Sequence, residues 1–149
     1  MSAAARDKID RQLITLLQAN ARISNADLAR KLGIARTTVV AKLAKLEATG
    51  VIVGYTTKLG GAAQQDRGVQ AFVGITVQPR AGREVTRKLG GFPEVRQLAS
   101  VSGEFDYMAV LHAESTTRLD ALLDEIGDIE GVIKTTSSVV LAMRVDRSA

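Results

Sequence analysis

The chain has 149 residues, 46% hydrophobic and 24% charged, a balance that supports one domain or two small ones and excludes disorder throughout. No apolar run exceeds five residues, as at 139–143, whereas a membrane-spanning helix needs about 20. The N-terminus also lacks the apolar middle of a signal peptide, so the expected location is cytoplasmic, with no membrane partner. There is no cysteine and one histidine, His112. Disulfides, thiolate zinc sites, two-histidine metal motifs and most Ser-His-Asp arrangements therefore drop out, and no catalytic residue, metal site or cofactor is expected.

Charge is distributed unevenly. Residues 1–62 carry a net +6 and the remaining 87 a net −2, which suggests two modules, the first with a polyanionic partner. Aromatic residues make up 3%, without tryptophan. The core must be built from Leu, Val, Ile and Ala, and stacking platforms for single strands are not expected.

Ile9, Leu13, Leu16 and Leu17 recur at helical spacing behind Asp7, a candidate cap, and predict a first helix ending near Asn20. A second starts at Ser24, whose hydroxyl can accept from the amide of Asp27 while Asp27 reaches back in a shortened capping box. Leu28, Ala29 and Leu32 form its apolar face, and Gly33 follows where a left-handed residue would stop it. A third spans about 35–48, with Val39, Leu43 and Leu46 inward and Gly50 as its stop. Helix, short glycine turn and helix is a helix-turn-helix layout. The outer face of the third helix offers Arg36, Thr37, Thr38, Ala41, Lys42 and Lys45 to a major groove of double-stranded DNA: hydroxyls and cations for base edges, lysines further along for phosphates.

Residues 51–59 read as extended and 60–68 as a linker. Val69, Ala71, Val73, Ile75 and Val77 alternate with other residues in a strand that Pro79 ends. A helix over about 81–90, strands at 95–101 and 106–112, a helix capped by Ser115, and a last strand over 132–143 follow. The order βαββαβ predicts a ferredoxin-like sandwich, so the fold class is α+β: a helix-turn-helix domain over 1–50, an extended strand and linker over 51–67 and the sandwich over 68–149. One sheet face stays uncovered and carries apolar residues, which points to self-association.

The chain also resembles the Lrp/AsnC family of transcription regulators over nearly its whole length. The resemblance rests on Lys8-Ile9-Asp10-Arg11-Gln12-Leu13, Leu17-Gln18, Ala21-Arg22, Leu28-Ala29, Leu32-Gly33-Ile34, Leu46-Glu47, Gly50-Val51-Ile52 and Gly54-Tyr55. In the second half it rests on Val101-Ser102-Gly103-Glu104-Phe105-Asp106-Tyr107 and on Gly131-Val132 leading to Thr135-Thr136. It implies dimers formed by the C-terminal sheets, often assembled into octamers, with an amino-acid effector held at contacts between dimers. It places that effector at Ser102, Gly103, Glu104, Phe105, Asp106 and Tyr107, with Thr135, Thr136 and Ser137 nearby. Two positions depart from the family pattern: Ala35 stands where Ser or Thr is common, and Ala41 where Arg is frequent.

Read from the residues alone, 102–107 is a hairpin turn, with Gly103 supplying positive φ and Asp106 bonding local amides. As an effector loop, its amides would hold an α-carboxylate and Asp106 an α-ammonium, and a side chain at Gly103 would crowd both turn and ligand. The expected function is a sequence-specific regulator of transcription modulated by a small effector. An architectural, weakly specific DNA-binding protein and an amino-acid-binding metabolic subunit remain as alternatives.

Overall fold

A computed structural model describes residues 8–61, 63 and 68–147. They divide into two compact units, one reaching Lys58 and the other running from Leu59 to Arg147. The expected cap Asp7 lies outside the described residues, as do 62 and 64–67 of the linker.

In the first unit α1 (Lys8–Ala19) buries Leu13 and Leu17, one turn apart. α2 (Asn25–Leu32) starts as its sequence implies: the Ser24 hydroxyl accepts from the Asp27 amide at 3.0 Å. Asp27 does not close a capping box and pairs with Arg30 at 3.0 Å instead. Gly33 takes φ +65°, and its amide donates to the Ala29 carbonyl, so the chain turns without a Cβ penalty. α3 (Arg36–Ala48) then buries Val39 and Leu46. These side chains join Leu13, Leu17, Leu28 and Ala29 in one core, each large aliphatic contributing about 1.5–3 kcal/mol of burial. Val51 and Ile52 pack against that core, and Tyr55 donates to Glu47 at 2.8 Å. Residues 53–60 carry no helix or strand.

The second unit contains β1 (Val69–Val77), α4 (Gly82–Gly90), β2 (Val95–Ser100), β3 (Tyr107–Ala113), α5 (Thr116–Gly127) and β4 (Val132–Val139). The sheet is antiparallel in the order β2-β3-β1-β4, the arrangement of a ferredoxin-like sandwich. The alternation in β1 buries Ala71, Val73 and Ile75 against Val85 and Leu89 of α4 and Leu119, Leu122 and Ile126 of α5. Ser115 caps α5 by accepting from the Arg118 amide at 3.0 Å. Arg118 also joins Glu94 at 2.7 Å and Glu125 at 3.1 Å.

The last strand is shorter than its apolar run implies. β4 is an edge strand whose neighbour β1 begins at Val69, so after the Val140 amide meets the Gln70 carbonyl at 2.8 Å a single residue of the partner strand remains. Leu141 is consequently 96% exposed. The face of the sheet away from the helices carries Phe72, 40% exposed, beside Val110 and Ser138 in register.

Candidate nucleic-acid interface and effector loop

The outer surface of α3 is built by exclusion. Val39 and Leu46 point into the core with Leu43 against it, which leaves Arg36, Thr37, Thr38, Ala41 and Lys45 exposed together on the remaining turns. Val40, absent from the sequence-based set, belongs to this surface and is 50% exposed. The helix starts at Ala35 without a side-chain cap and has no acidic residue in its first turn. No protein carboxylate there competes with a phosphate for the positive helix end. Ala35→Ser should supply the missing acceptor and raise the stability of this unit by about 1 kcal/mol in urea unfolding.

Lys42 does not join that surface. Its Nζ lies 3.1 Å from Asp10 Oδ1 of α1, with the side chains only 24% and 8% exposed. This ion pair braces α3 against α1. The signal is present in the sequence, because Lys42 falls three residues after Val39 and four before Leu46, on the inward side of the helix.

The hairpin between β2 and β3 closes when the Val101 amide donates to the Asp106 carbonyl at 3.1 Å, with Gly103 at φ +104°. Asp106 is fastened twice to the end of β1: its amide donates to the Ile75 carbonyl at 3.0 Å, and its Oδ2 accepts from the Val77 amide at 2.9 Å. The amide it bonds is thus a distant one and not a local one. A Cβ at Gly103 would meet nothing within 4 Å, so the turn is not crowded there, and only the backbone angle restrains substitution.

Crowding occurs instead at Gly74, where a Cβ would come within 2.6 Å of the Phe105 ring. The ring folds back over β1 on the face away from the helices, which a glycine inside a strand can signal by allowing close approach. Through β1 the register also brings in the second candidate segment. Gly74 lies opposite Met108 and Thr136, Ile75 opposite Tyr107 and Thr135, and Val73 opposite Ser137. Phe105 and Thr136 thus share the uncovered face, while Tyr107 and Thr135 turn toward the helices, Tyr107 with its hydroxyl against Gly82. Ser102, Gly103, Glu104 and Asp106 are exposed. Among the described residues no group of three or more His, Asp or Glu is placed to hold a metal ion, and no helix is long and apolar enough to cross a membrane.

A three-helix unit with a helix-turn-helix and a separate ferredoxin-like unit together define a DNA-binding regulator with a ligand-binding domain. Comparison with known proteins agrees. Residues 6–53 match the winged helix-turn-helix DNA-binding family, and residues 70–149 match the Lrp/AsnC ligand binding domain. The chain belongs to the Lrp/AsnC family. It is 32% identical over 136 residues to the HTH-type transcriptional regulator LrpA of Pyrococcus horikoshii, covering 91% of this chain and 96% of the relative. The leucine response regulatory protein of Mycobacterium tuberculosis superposes with TM-score 0.78 at 30% identity, over 94% of this chain and 95% of that one. A transcriptional regulator of Neisseria meningitidis, solved as an L-Met complex, superposes with TM-score 0.78 at 25% identity, over 94% of this chain and 92% of that one. The protein is therefore a transcriptional regulator and not an enzyme, and duplex DNA and a small-molecule ligand are its partners.

Proposed function

We propose that the protein reads specific duplex sites with α3 as a dimer or higher oligomer, and that a free amino acid bound at the 102–107 loop changes its assembly or its grip on DNA. The observation that carries the DNA half is the exposed surface of α3, where Arg36, Thr37, Thr38 and Lys45 are accessible around small side chains. Arg36 and the threonines suit base edges, and Lys45 suits phosphate. Affinity should fall steeply with salt, and Lys45→Ala should reduce the slope of log affinity against log salt by about one unit. A footprint on the protein's own upstream DNA distinguishes this reading from architectural binding, since a discrete protected site is expected and uniform protection contradicts it.

The sheet face opposite α4 and α5 supports self-association, because Phe72, 40% exposed, and Val110 lie side by side there. A dimer would present two recognition helices to half-sites about one helical turn apart. A monomeric mass for the full chain by light scattering at micromolar concentration overturns this. Octamers are proposed from the family alone.

Support for the effector half comes from the neighbouring Neisseria structure with L-Met and from the exposed, doubly anchored loop. The turn amides would take the α-carboxylate. Asp106, with Oδ2 engaged by Val77, would offer Oδ1 to the α-ammonium. Because Ser102 to Glu104 are exposed in one chain, a second copy would complete the enclosure, which couples ligand to assembly. A thermal-shift screen of the 20 amino acids identifies the ligand, since saturation at 100 times Kd adds about 2.7 kcal/mol. Asp106→Asn keeps an oxygen for the Val77 amide and removes the charge, so affinity for that amino acid should fall about tenfold or more in calorimetry. Unchanged affinity would show that the loop is only a turn.

A further inference from the structure

Thr37, Val40, Ala41, Ala44 and Ala48 follow one another along α3 at spacings of three, one, three and four residues, which places them in one row on the helix surface. All five are exposed, and Val40 is half so. Long donors flank this row at Arg36 and Lys45 and do not interrupt it, because the third cation, Lys42, is turned inward to Asp10. A helix face of this composition has two consequences in a major groove. Small side chains at Ala41 and Ala44 let the backbone approach the base edges closely. Methyl groups at Thr37, Val40, Ala41 and Ala44 then meet whatever apolar surface the base edges offer, and in DNA that surface is the C5-methyl of thymine. Guanine recognition needs a bidentate arginine or lysine at the contact point, and the centre of this row holds neither.

We propose that α3 recognises thymine methyl groups, with Val40 as the main specificity-determining contact, so that the preferred half-site carries thymines where the middle of the helix crosses the groove. This deepens the DNA-binding reading and rests on it. An exposed valine on a DNA-facing helix gains the most apolar burial when a methyl group lies opposite, and each methyl so covered strengthens binding by about fourfold.

The test uses the full chain. Preferred duplexes are first selected from a random pool, and each thymine in the consensus is then replaced by deoxyuridine, which removes only the methyl group. Wild type should lose about three- to tenfold in affinity at one or more positions in each half-site. Val40→Ala should bind the thymine and uridine versions of its own position within about twofold while melting at the wild-type temperature. If the all-uridine duplex binds wild type as tightly as the thymine duplex, methyl recognition is wrong although the regulator still binds its site. Equal discrimination by Val40→Ala and wild type removes Val40 from the role and overturns the proposal as stated. Selection without any enriched sequence refutes sequence-specific reading altogether, and this proposal with it.

Discussion

Lys42→Met should destabilise the helix-turn-helix unit by about 2–3 kcal/mol and expose the α1 amides to hydrogen exchange. The carboxylate of Asp10 is only 8% exposed and lies 3.1 Å from the lysine. Removing the cation strands a charge in a place where water solvates it poorly. Breaking a fully buried pair costs about 3–5 kcal/mol, and the partial exposure of Lys42 reduces that figure. Replacing both partners, Asp10→Leu with Lys42→Met, should recover most of the loss, because two apolar groups in a core need no mutual charge compensation. The contrast with Lys45 is the diagnostic part. Lys45→Ala should leave unfolding in urea unchanged and lower the salt dependence of DNA binding, whereas Lys42→Met should do the reverse. If Lys42→Met unfolds at the wild-type urea concentration and reduces the salt slope, the lysine serves DNA phosphate and the brace is incidental.

Gly74→Ala should destabilise the sheet unit and disturb the proposed effector loop. The added Cβ arrives within 2.6 Å of Phe105, so the ring must leave its place over β1. Overpacking of this kind costs about 1–3 kcal/mol. The ring belongs to the same loop that Asp106 fastens to β1, so displacing it should also weaken binding of whichever amino acid the thermal screen identifies. Phe105→Ala combined with Gly74→Ala should restore melting temperature, since the smaller side chain vacates the contested volume. Gly103→Ala provides the comparison: its Cβ meets open space, and only the φ of +104° opposes it, at a cost of about 1 kcal/mol. A melting temperature for Gly74→Ala equal to that of wild type would mean that the ring has free room to move.

Much of the architecture is legible in local pattern. Ser24, Gly33 and Ser115 mark helix ends because caps are local chemistry, decided within three or four residues. β1 is legible because Val69, Ala71, Val73, Ile75 and Val77 recur at every second position, which maps onto the sheet face that meets the helices. What the pattern misses depends on distant partners. The apolar run at 139–143 has strand composition, yet a strand ends where its neighbour ends, and past Gln70, which Val140 meets, β1 supplies only Val69. Lys42 looks like a DNA contact because charge suggests a surface; its spacing from Val39 and Leu46 already turns it inward, and the position of Asp10 on another helix supplies its partner. Asp106 was expected to bond nearby amides in a simple turn, and its side chain instead ends on Val77, twenty-nine residues away in sequence. The resemblance to the Lrp/AsnC family located the loop, but the physical attachment of that loop became visible only with the β1 register.

The two hydrophobic cores close separately. Leu13, Leu28, Val39 and Leu46 belong to one, Ile75, Leu89, Leu111 and Leu122 to the other, and among the described residues no buried side chain is common to both. Mutations therefore accumulate in either core without forcing compensation in the other. If α3 reads the promoters and the 102–107 loop senses the effector, as proposed above, a lineage carrying this protein can change the first by drift in α3 while keeping the second, or acquire a new sensed molecule while addressing the same promoters. A hybrid gene that joins one relative's first 58 codons to another's remainder would encode a chain in which each of these two cores keeps its own set of residues.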